Sequence, residues 1–152
     1  MKTLVLGLGN PVLGDDGVGL RVVEQLRTLF EDTNLAFKES CASGLDLLEE
    51  ITGYDRLIII DAIQTEAGQV GQVYRLTIDD FTSSHLSGSP HSVDLATAVE
   101  LGKKLGERVP HQIDIFAVEV SEVNEFNESC TPAVEQAIPL AVDMVAKELK
   151  SV

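Results

Sequence analysis

Short apolar runs alternate along the chain with segments in which apolar residues recur every three or four positions. Continuous apolar runs of four to eight residues, bounded by turn residues, are typical of strands buried on both faces. The runs that predict strands are Thr3–Leu8, Asn34–Lys38, Arg56–Ala62, Gln72–Thr77 and Gln112–Val120.

Between these runs, helical spacing of apolar residues predicts four helices. The first follows a glycine-rich turn, the second follows a segment resembling a capping box at Ser43–Asp46, and the last begins at Thr131-Pro132 and runs to about Leu149. The residues expected on their inner faces include Val18, Val22, Leu26 and Leu29 in the first helix, Leu45, Leu48 and Ile51 in the second, and Leu95, Val99 and Leu105 in the third, which starts near Ser92. The polar segments Asp79–Pro90 and Ser121–Cys130 are predicted to be loops.

The resulting order of elements, β-α-β-α-β-β-α-β-α, predicts one α/β domain over residues 1–152. We expect a three-layer sandwich, with a mostly parallel five-stranded sheet and helices on both faces. The Ala62–Gly71 connection is shorter than the crossover of about a dozen residues that a parallel pair requires. The strand Gln72–Thr77 is therefore predicted to be antiparallel or at an edge.

The net charge of the chain makes some classes of binding partner improbable. The chain carries 25 acidic and 11 basic residues, for a net charge of −14. Because nucleic acids and anionic membranes attract basic surfaces, we expect neither as a partner. The N-terminal apolar run is too short for a signal sequence or a membrane span, which predicts a cytoplasmic protein.

Three polar side chains are expected to meet at the carboxyl edge of the sheet, where open α/β sheets bind ligands. Asp16 follows the first strand, Asp61 ends the strongly apolar third strand, and His91 precedes the third helix. Each has an ordinary explanation, namely complementing a helix dipole, binding backbone in a turn, or lying on the surface. Together, two carboxylates and an imidazole form a mixed ligand set that suits zinc, nickel or manganese.

Two other chemistries fit the sequence poorly. The Gly7-Leu-Gly9 turn is similar to a dinucleotide fingerprint, but valine stands at the third glycine position, and Asp15 and Asp16 would repel a pyrophosphate. A Cys41 nucleophile would need nearby cations to stabilise its thiolate, and its predicted surroundings are acidic.

Five blocks of sequence resemble the hydrogenase maturation endopeptidases. This family trims the C-terminal extension from the nickel-loaded large subunit of [NiFe] hydrogenases. The blocks occur in order along nearly the whole chain, at residues 4–19, 43–48, 57–62, 89–95 and 117–120.

The resemblance implies the roles of several residues. The family's metal-binding positions fall on Asp16, Asp61 and His91, and its acidic residue after the second strand falls on Glu39. A glycine-rich turn of the family is replaced here by Ser40-Cys-Ala42. The resemblance further implies that nickel arrives with the substrate, the large-subunit precursor, and that cadmium or zinc can occupy the same site in a crystal. The nickel could polarise the scissile carbonyl or activate water, or one of the aspartates could act as general base.

Two other functions remain open at this point. A nickel-sensing chaperone of the large subunit would use the same ligands without cutting. Peptidyl-tRNA hydrolase shares the Gly-Leu-Gly-Asn-Pro start, but residues 11–30 contain no histidine and the charge is unfavourable for tRNA.

Overall fold

A computed structural model describes residues 1–82, 91–121 and 125–151. The strands are β1 (Thr3–Leu8), β2 (Leu35–Ser40), β3 (Arg56–Ile63), β4 (Val73–Leu76) and β5 (Gln112–Glu119). The helices are α1 (Val18–Arg27), α2 (Asp46–Ile51), α3 (Ile78–Thr82), α4 (Ser92–Lys104) and α5 (Pro132–Lys150). Among these helices, none is long and apolar enough to cross a membrane.

The five strands form one sheet in the order β2-β1-β3-β5-β4. The pairs β1–β2, β1–β3 and β3–β5 are parallel, whereas β4 runs antiparallel to β5 at the edge. This arrangement confirms the predicted α/β sandwich, including the direction and edge position of the fourth strand. Since the four parallel strands all end on one side, their carboxyl ends create the edge at which Asp61 lies.

Successive side chains of the central strands point to opposite faces of the sheet and pack in two separate hydrophobic cores. On one face, Ile58 and Ile60 pack with α1 and α5; on the other, Leu57 and Ile59 pack with α2, α3 and α4. Strands covered on both faces are hydrophobic at every position, which explains the continuous apolar run of β3. All eight of its residues are buried.

Two glycines allow α1 to lie directly on the sheet. A Cβ added to Gly7 would lie 2.5 Å from the carbonyl oxygen of Gly19, and one added to Gly19 would lie 2.8 Å from that of Leu8 and closer still to that of Ile60. Real Cβ atoms essentially never approach backbone this closely. The contact fixes where α1 begins, and so where the preceding loop with Asp16 lies.

Several sequence predictions are wrong in detail. The segment predicted as a loop from Asp79 begins inside a helix, α3, while residues 83–90 lie outside the described part of the chain. Leu29 and Leu105 are 59% and 63% exposed, because each follows the last residue of its helix instead of continuing the inner face. Leu45, not Ser43, is the N-cap of α2, and it is also 63% exposed.

Buried ions join the amino ends of the strands to the last helix. Arg56, 1% exposed, places Nη2 at 3.1 Å from Asp114 Oδ2 and 2.6 Å from Glu148 Oε1. Arg75 Nη2 contacts the same two carboxylates from the solvent side, at 3.4 and 2.9 Å. This network ties α5 to β3, β4 and β5 at the edge opposite Asp61.

Candidate functional site

The three residues predicted to form the site lie on separate elements. Asp16 lies in a short 3-10 turn, Gly14–Gly17, between β1 and α1. Asp61 belongs to the carboxyl-terminal half of β3, where it pairs with Ala117 of β5. His91 is the residue immediately before α4.

Asp61 and His91 are in direct contact. His91 Nδ1 lies 3.0 Å from Asp61 Oδ2, and the two side chains are 11% and 1% exposed. Because a carboxylate only accepts hydrogen bonds, Nδ1 carries the proton and donates it. Asp61 Oδ1 also accepts the backbone N–H of Ala62 at 2.8 Å. These two bonds fix the carboxylate and orient the imidazole ring.

Asp16 is electrostatically coupled to this pair. Its Oδ2 accepts the backbone N–H of Asn10 at 2.9 Å. Burial raises the pKa of Asp16, and the negative charge of Asp61 raises it further, against the opposing effects of the Asn10 bond and of His91. The glycine loop therefore carries Asp16 into the neighbourhood of the two buried side chains.

The pKa of His91 reflects the same surroundings. Burial by itself lowers it, but the hydrogen bond and charge of Asp61, with the charges of Asp16 and Asp94, raise it above its ordinary value of 6.5. Such a histidine is suited to exchange a proton near neutral pH or, when neutral, to bind a metal. The arrangement therefore supports acid–base chemistry and metal ligation.

Within residues 1–82, 91–121 and 125–151, no group of three or more His, Cys, Asp and Glu side chains is gathered tightly enough to hold an ion. The assignment of Asp16, Asp61 and His91 as a shared ligand set therefore stays a prediction.

Asp15, to which the sequence assigned no role in the site, holds the site loop in place. It is fully buried and accepts hydrogen bonds from the backbone and hydroxyl of Thr131, at 2.6 and 2.9 Å, and more weakly from those of Ser121. Thr131 is the N-cap of α5, as predicted, but its hydroxyl binds Asp15 instead of capping the helix. The loop is thus anchored to the residues that follow β5 and precede α5.

Glu119, at the end of β5, likewise accepts several hydrogen bonds from neighbouring segments. It is 2% exposed and accepts hydrogen bonds from the backbone and hydroxyl of Thr65, at 2.8 and 2.6 Å, and from the Tyr74 hydroxyl at 3.0 Å. A charge ending an apolar strand is the signal that singled out Asp61. Applied to Ile115–Val118, it would have identified Glu119 too.

The remaining candidates after β2 lie on the surface. Glu39 forms a 3.7 Å ion pair with Arg27, and its side chain is 38% exposed. Cys41 is exposed, whereas Cys130 is buried. No described contact joins these residues to the pair formed by Asp61 and His91.

Known proteins of the same kind match almost the whole chain. The chain is 31% identical to hydrogenase 2 maturation protease of Escherichia coli, over 99% of this chain and 92% of that protein. It is 26% identical to the hydrogenase expression/formation protein HupD of Rhizobium leguminosarum bv. viciae, over 99% and 75% of the two chains.

The fold is equally similar. The solved structure of the hydrogenase maturating endopeptidase HybD from Escherichia coli superposes with a TM-score of 0.84 at 29% identity, covering 99% of this chain and 93% of that one. The family model described as hydrogenase maturation protease matches residues 20–148. The chain therefore belongs to the hydrogenase maturation protease family and is a peptidase.

Proposed function

We propose that this enzyme removes the C-terminal extension from the nickel-loaded large-subunit precursor of a [NiFe] hydrogenase, and that it recognises the nickel through Asp16, Asp61 and His91. The observation that carries the proposal is the buried contact between Asp61 and His91, coupled to Asp16, at the edge where this fold binds ligands. Family membership supplies the reaction class.

The hydrogen bond of Asp61 gives His91 a defined role. A proton held on Nδ1 leaves the lone pair of the neutral ring on Nε2, the atom through which such a histidine binds a metal. While this bond is intact Asp61 orients the ring, and an ion on Nε2 would lie across the ring from it. Direct ligation of the nickel by Asp61 as well therefore requires His91 to exchange its hydrogen bond with Asp61 for the metal when the precursor binds. Asp16 adds a second carboxylate from a different loop, which matches the mixed ligands that nickel accepts.

In this proposal the nickel is part of the substrate and selects the precursor that is ready to be cut. Once ligated by the three side chains, it holds the scissile region against them. Polarisation of the peptide carbonyl by nickel, or removal of a proton from water by Asp16 or Asp61, would then lead to hydrolysis.

Cleavage of a purified precursor tests this function. The enzyme is incubated with the cognate large-subunit precursor, with and without nickel, and the products are measured by intact mass. We expect loss of a short C-terminal peptide only when nickel is present. His91→Ala should abolish the loss, whereas His111→Ala, at an exposed histidine just before β5, should leave it unchanged.

Failure would have a specific meaning. An unchanged mass for an authentic nickel-loaded precursor that nevertheless binds the enzyme would support a chaperone that checks the large subunit without cutting it. Cleavage that does not require nickel would contradict the proposed recognition while leaving the peptidase activity intact.

Crystals grown with cadmium, zinc or nickel test the ligand set directly. We expect one ion at a distance of about 2 Å from each of Asp16, Asp61 and His91. Side chains that stay more than about 8 Å apart in the presence of metal could not share an ion with bonds of that length.

A further inference from the structure

Two exposed apolar residues occupy corresponding positions beside an isolated β-bridge, in the loops that follow β1 and β5. Leu13 and Asn127 form an isolated parallel β-bridge. Val12 and Phe126 each directly precede one residue of this bridge, so the bridge brings their backbones together. Val12 is 41% exposed and Phe126 is 87% exposed. We call this pair the apolar platform.

Hydrogen bonds hold the backbone beneath the apolar platform. Asn127 donates its backbone N–H to Val12 O at 2.9 Å and accepts that of Gly14 at 2.8 Å. The buried bonds between Asp15 and Thr131 fasten the same two loops a few residues further along. A loop backbone that is already ordered loses less conformational entropy when it binds a partner.

Hydrogen bonds connect the apolar platform with the site. Val12 donates its N–H to the side chain of Asn10 at 3.1 Å, and the N–H of Asn10 binds Asp16 Oδ2 at 2.9 Å. Val12 and Asp16 therefore belong to one hydrogen-bonded loop.

The sequence on either side of Phe126 is acidic. The segment 121–130 contains three glutamates and no lysine or arginine, and neither lysine nor arginine occurs between Arg108 and Lys147. Glu128, which is exposed, is two residues from Phe126. An apolar surface bordered by carboxylates is complementary to an apolar segment flanked by basic residues.

We propose that the apolar platform docks an extended, apolar segment of the precursor that is flanked by Lys or Arg, and so sets the affinity for the protein substrate. This rests on the proposed function, because the segment belongs to the polypeptide whose scissile bond must reach Asp16, Asp61 and His91. The nickel selects the loaded precursor, and Val12 and Phe126 hold its polypeptide.

Steady-state kinetics with the nickel-loaded precursor tests the proposal. For Phe126→Ser we expect a rise in KM of about tenfold or more, with kcat changed less than about twofold, since the contact is made equally in the ground and transition states. Val12→Ser should act in the same direction. The matched control is Leu105→Ser, which removes a side chain 63% exposed at the opposite edge and should leave KM unchanged.

The charge complementarity is tested separately. Glu128→Lys should raise KM by about threefold or more, and the effect should shrink as salt is added. Glu107→Lys makes the same change at an exposed position near the other edge and serves as the control.

Binding without cleavage separates this proposal from the function on which it rests. In the His91→Ala background, Phe126→Ser should weaken precursor binding, measured by calorimetry, by about tenfold. Equal binding by the two proteins would overturn the docking role even if the wild type cleaves normally. A wild type that leaves the precursor intact would contradict the function, not the docking.

Two further measurements keep the result interpretable. Phe126→Ser should keep the melting temperature of the wild type to within about 2 °C, as expected for an exposed position. If sedimentation showed a wild-type dimer and a monomeric Phe126→Ser with unchanged KM, the apolar platform would be an interface between two copies, and the proposal would be wrong.

Discussion

Asp15 and Thr131 are joined by two hydrogen bonds, a backbone N–H at 2.6 Å and a hydroxyl at 2.9 Å, although 116 residues separate them in sequence. The bonds connect the loop that carries Asp16 to the first turn of α5. Because Asp15 is fully buried, its carboxylate must be stabilised by hydrogen bonds from the protein. The geometry of the site therefore depends on a helix that contributes no residue to it.

Removing the Thr131 hydroxyl should measure the value of this connection. Thr131→Val keeps the shape and the backbone N–H, and should lower the free energy of unfolding by about 1.5–3 kcal/mol, as for a bond to a charged group. Thr28→Val is the control, because the exposed Thr28 hydroxyl binds a neutral carbonyl at 2.7 Å. Urea denaturation of both variants gives the comparison, and similar losses would contradict the special role of Asp15.

The interaction between His91 and Asp61 should make stability depend on pH. Because the folded pKa of His91 is raised, the protonated form stabilises the fold fully below pH 6.5, and this contribution is lost as pH rises through the folded value. The stability lost in His91→Asn should therefore be larger at about pH 6 than at about pH 9.

Urea unfolding across this range checks the sign, and His111→Asn corrects for the loss of an exposed histidine. Since only the neutral ring binds a metal, cleavage should increase over the same range in which the stabilisation disappears. A difference between wild type and His91→Asn that grows with pH would contradict the role assigned to Asp61.

The free energy of unfolding should depend strongly on Arg56 and weakly on Arg75, although both contact the same two carboxylates. Arg56→Ala leaves Asp114 and Glu148 without their buried partner, and should cost about 3–5 kcal/mol. Arg75→Ala removes a side chain that is 51% exposed, and should cost about 1 kcal/mol or less. Denaturant midpoints give both values, and cleavage by Arg75→Ala should be normal because the network lies at the edge opposite the site.

Substitution of Gly19 by alanine should destabilise the protein, although Gly19 lies in a helix. Alanine normally favours a helix by about 1 kcal/mol over glycine, but here its Cβ would meet the backbone of Leu8 and Ile60. We expect Gly19→Ala to destabilise the protein by at least about 2 kcal/mol.

Gly44→Ala is the comparison for this substitution. Gly44 has open space around it and a φ of +59°, so alanine there meets only the conformational cost of about 1–2 kcal/mol. Thermal unfolding ranks the two variants, and an equal effect would show that α1 can move off the sheet.

The strands were predictable from the sequence because each buried strand is a short apolar run between turn residues. The direction of β4 followed from the length of one loop, which is a constraint of chain geometry. Helix ends were less predictable, since apolar spacing continues past the last helical residue; Leu29 and Leu105 match the period and are nevertheless exposed.

Site residues were predictable from the pattern alone where a charged residue interrupts an apolar strand. They were not predictable from the pattern where two acidic residues are adjacent in a turn. Asp61 interrupts a hydrophobic strand, so its position alone indicated a special role. Asp16 was identified only through the resemblance of its loop to a known family, and the buried anchoring role of its neighbour Asp15 became visible only in the fold. The bond between Tyr74 and Glu119 is a long-range contact without a local pattern.

Because Gly7 and Gly19 have no side chains, α1 and the loop with Asp16 lie directly against the sheet. Any change that adds a side chain to this contact would displace Asp16. Side chains that face water, such as Val12 and Phe126, can change without disturbing it. Changing the enzyme's preference to another hydrogenase would therefore require substitutions at exposed positions such as Val12 and Phe126. Gly7, Gly19 and the site carboxylates would have to stay as they are.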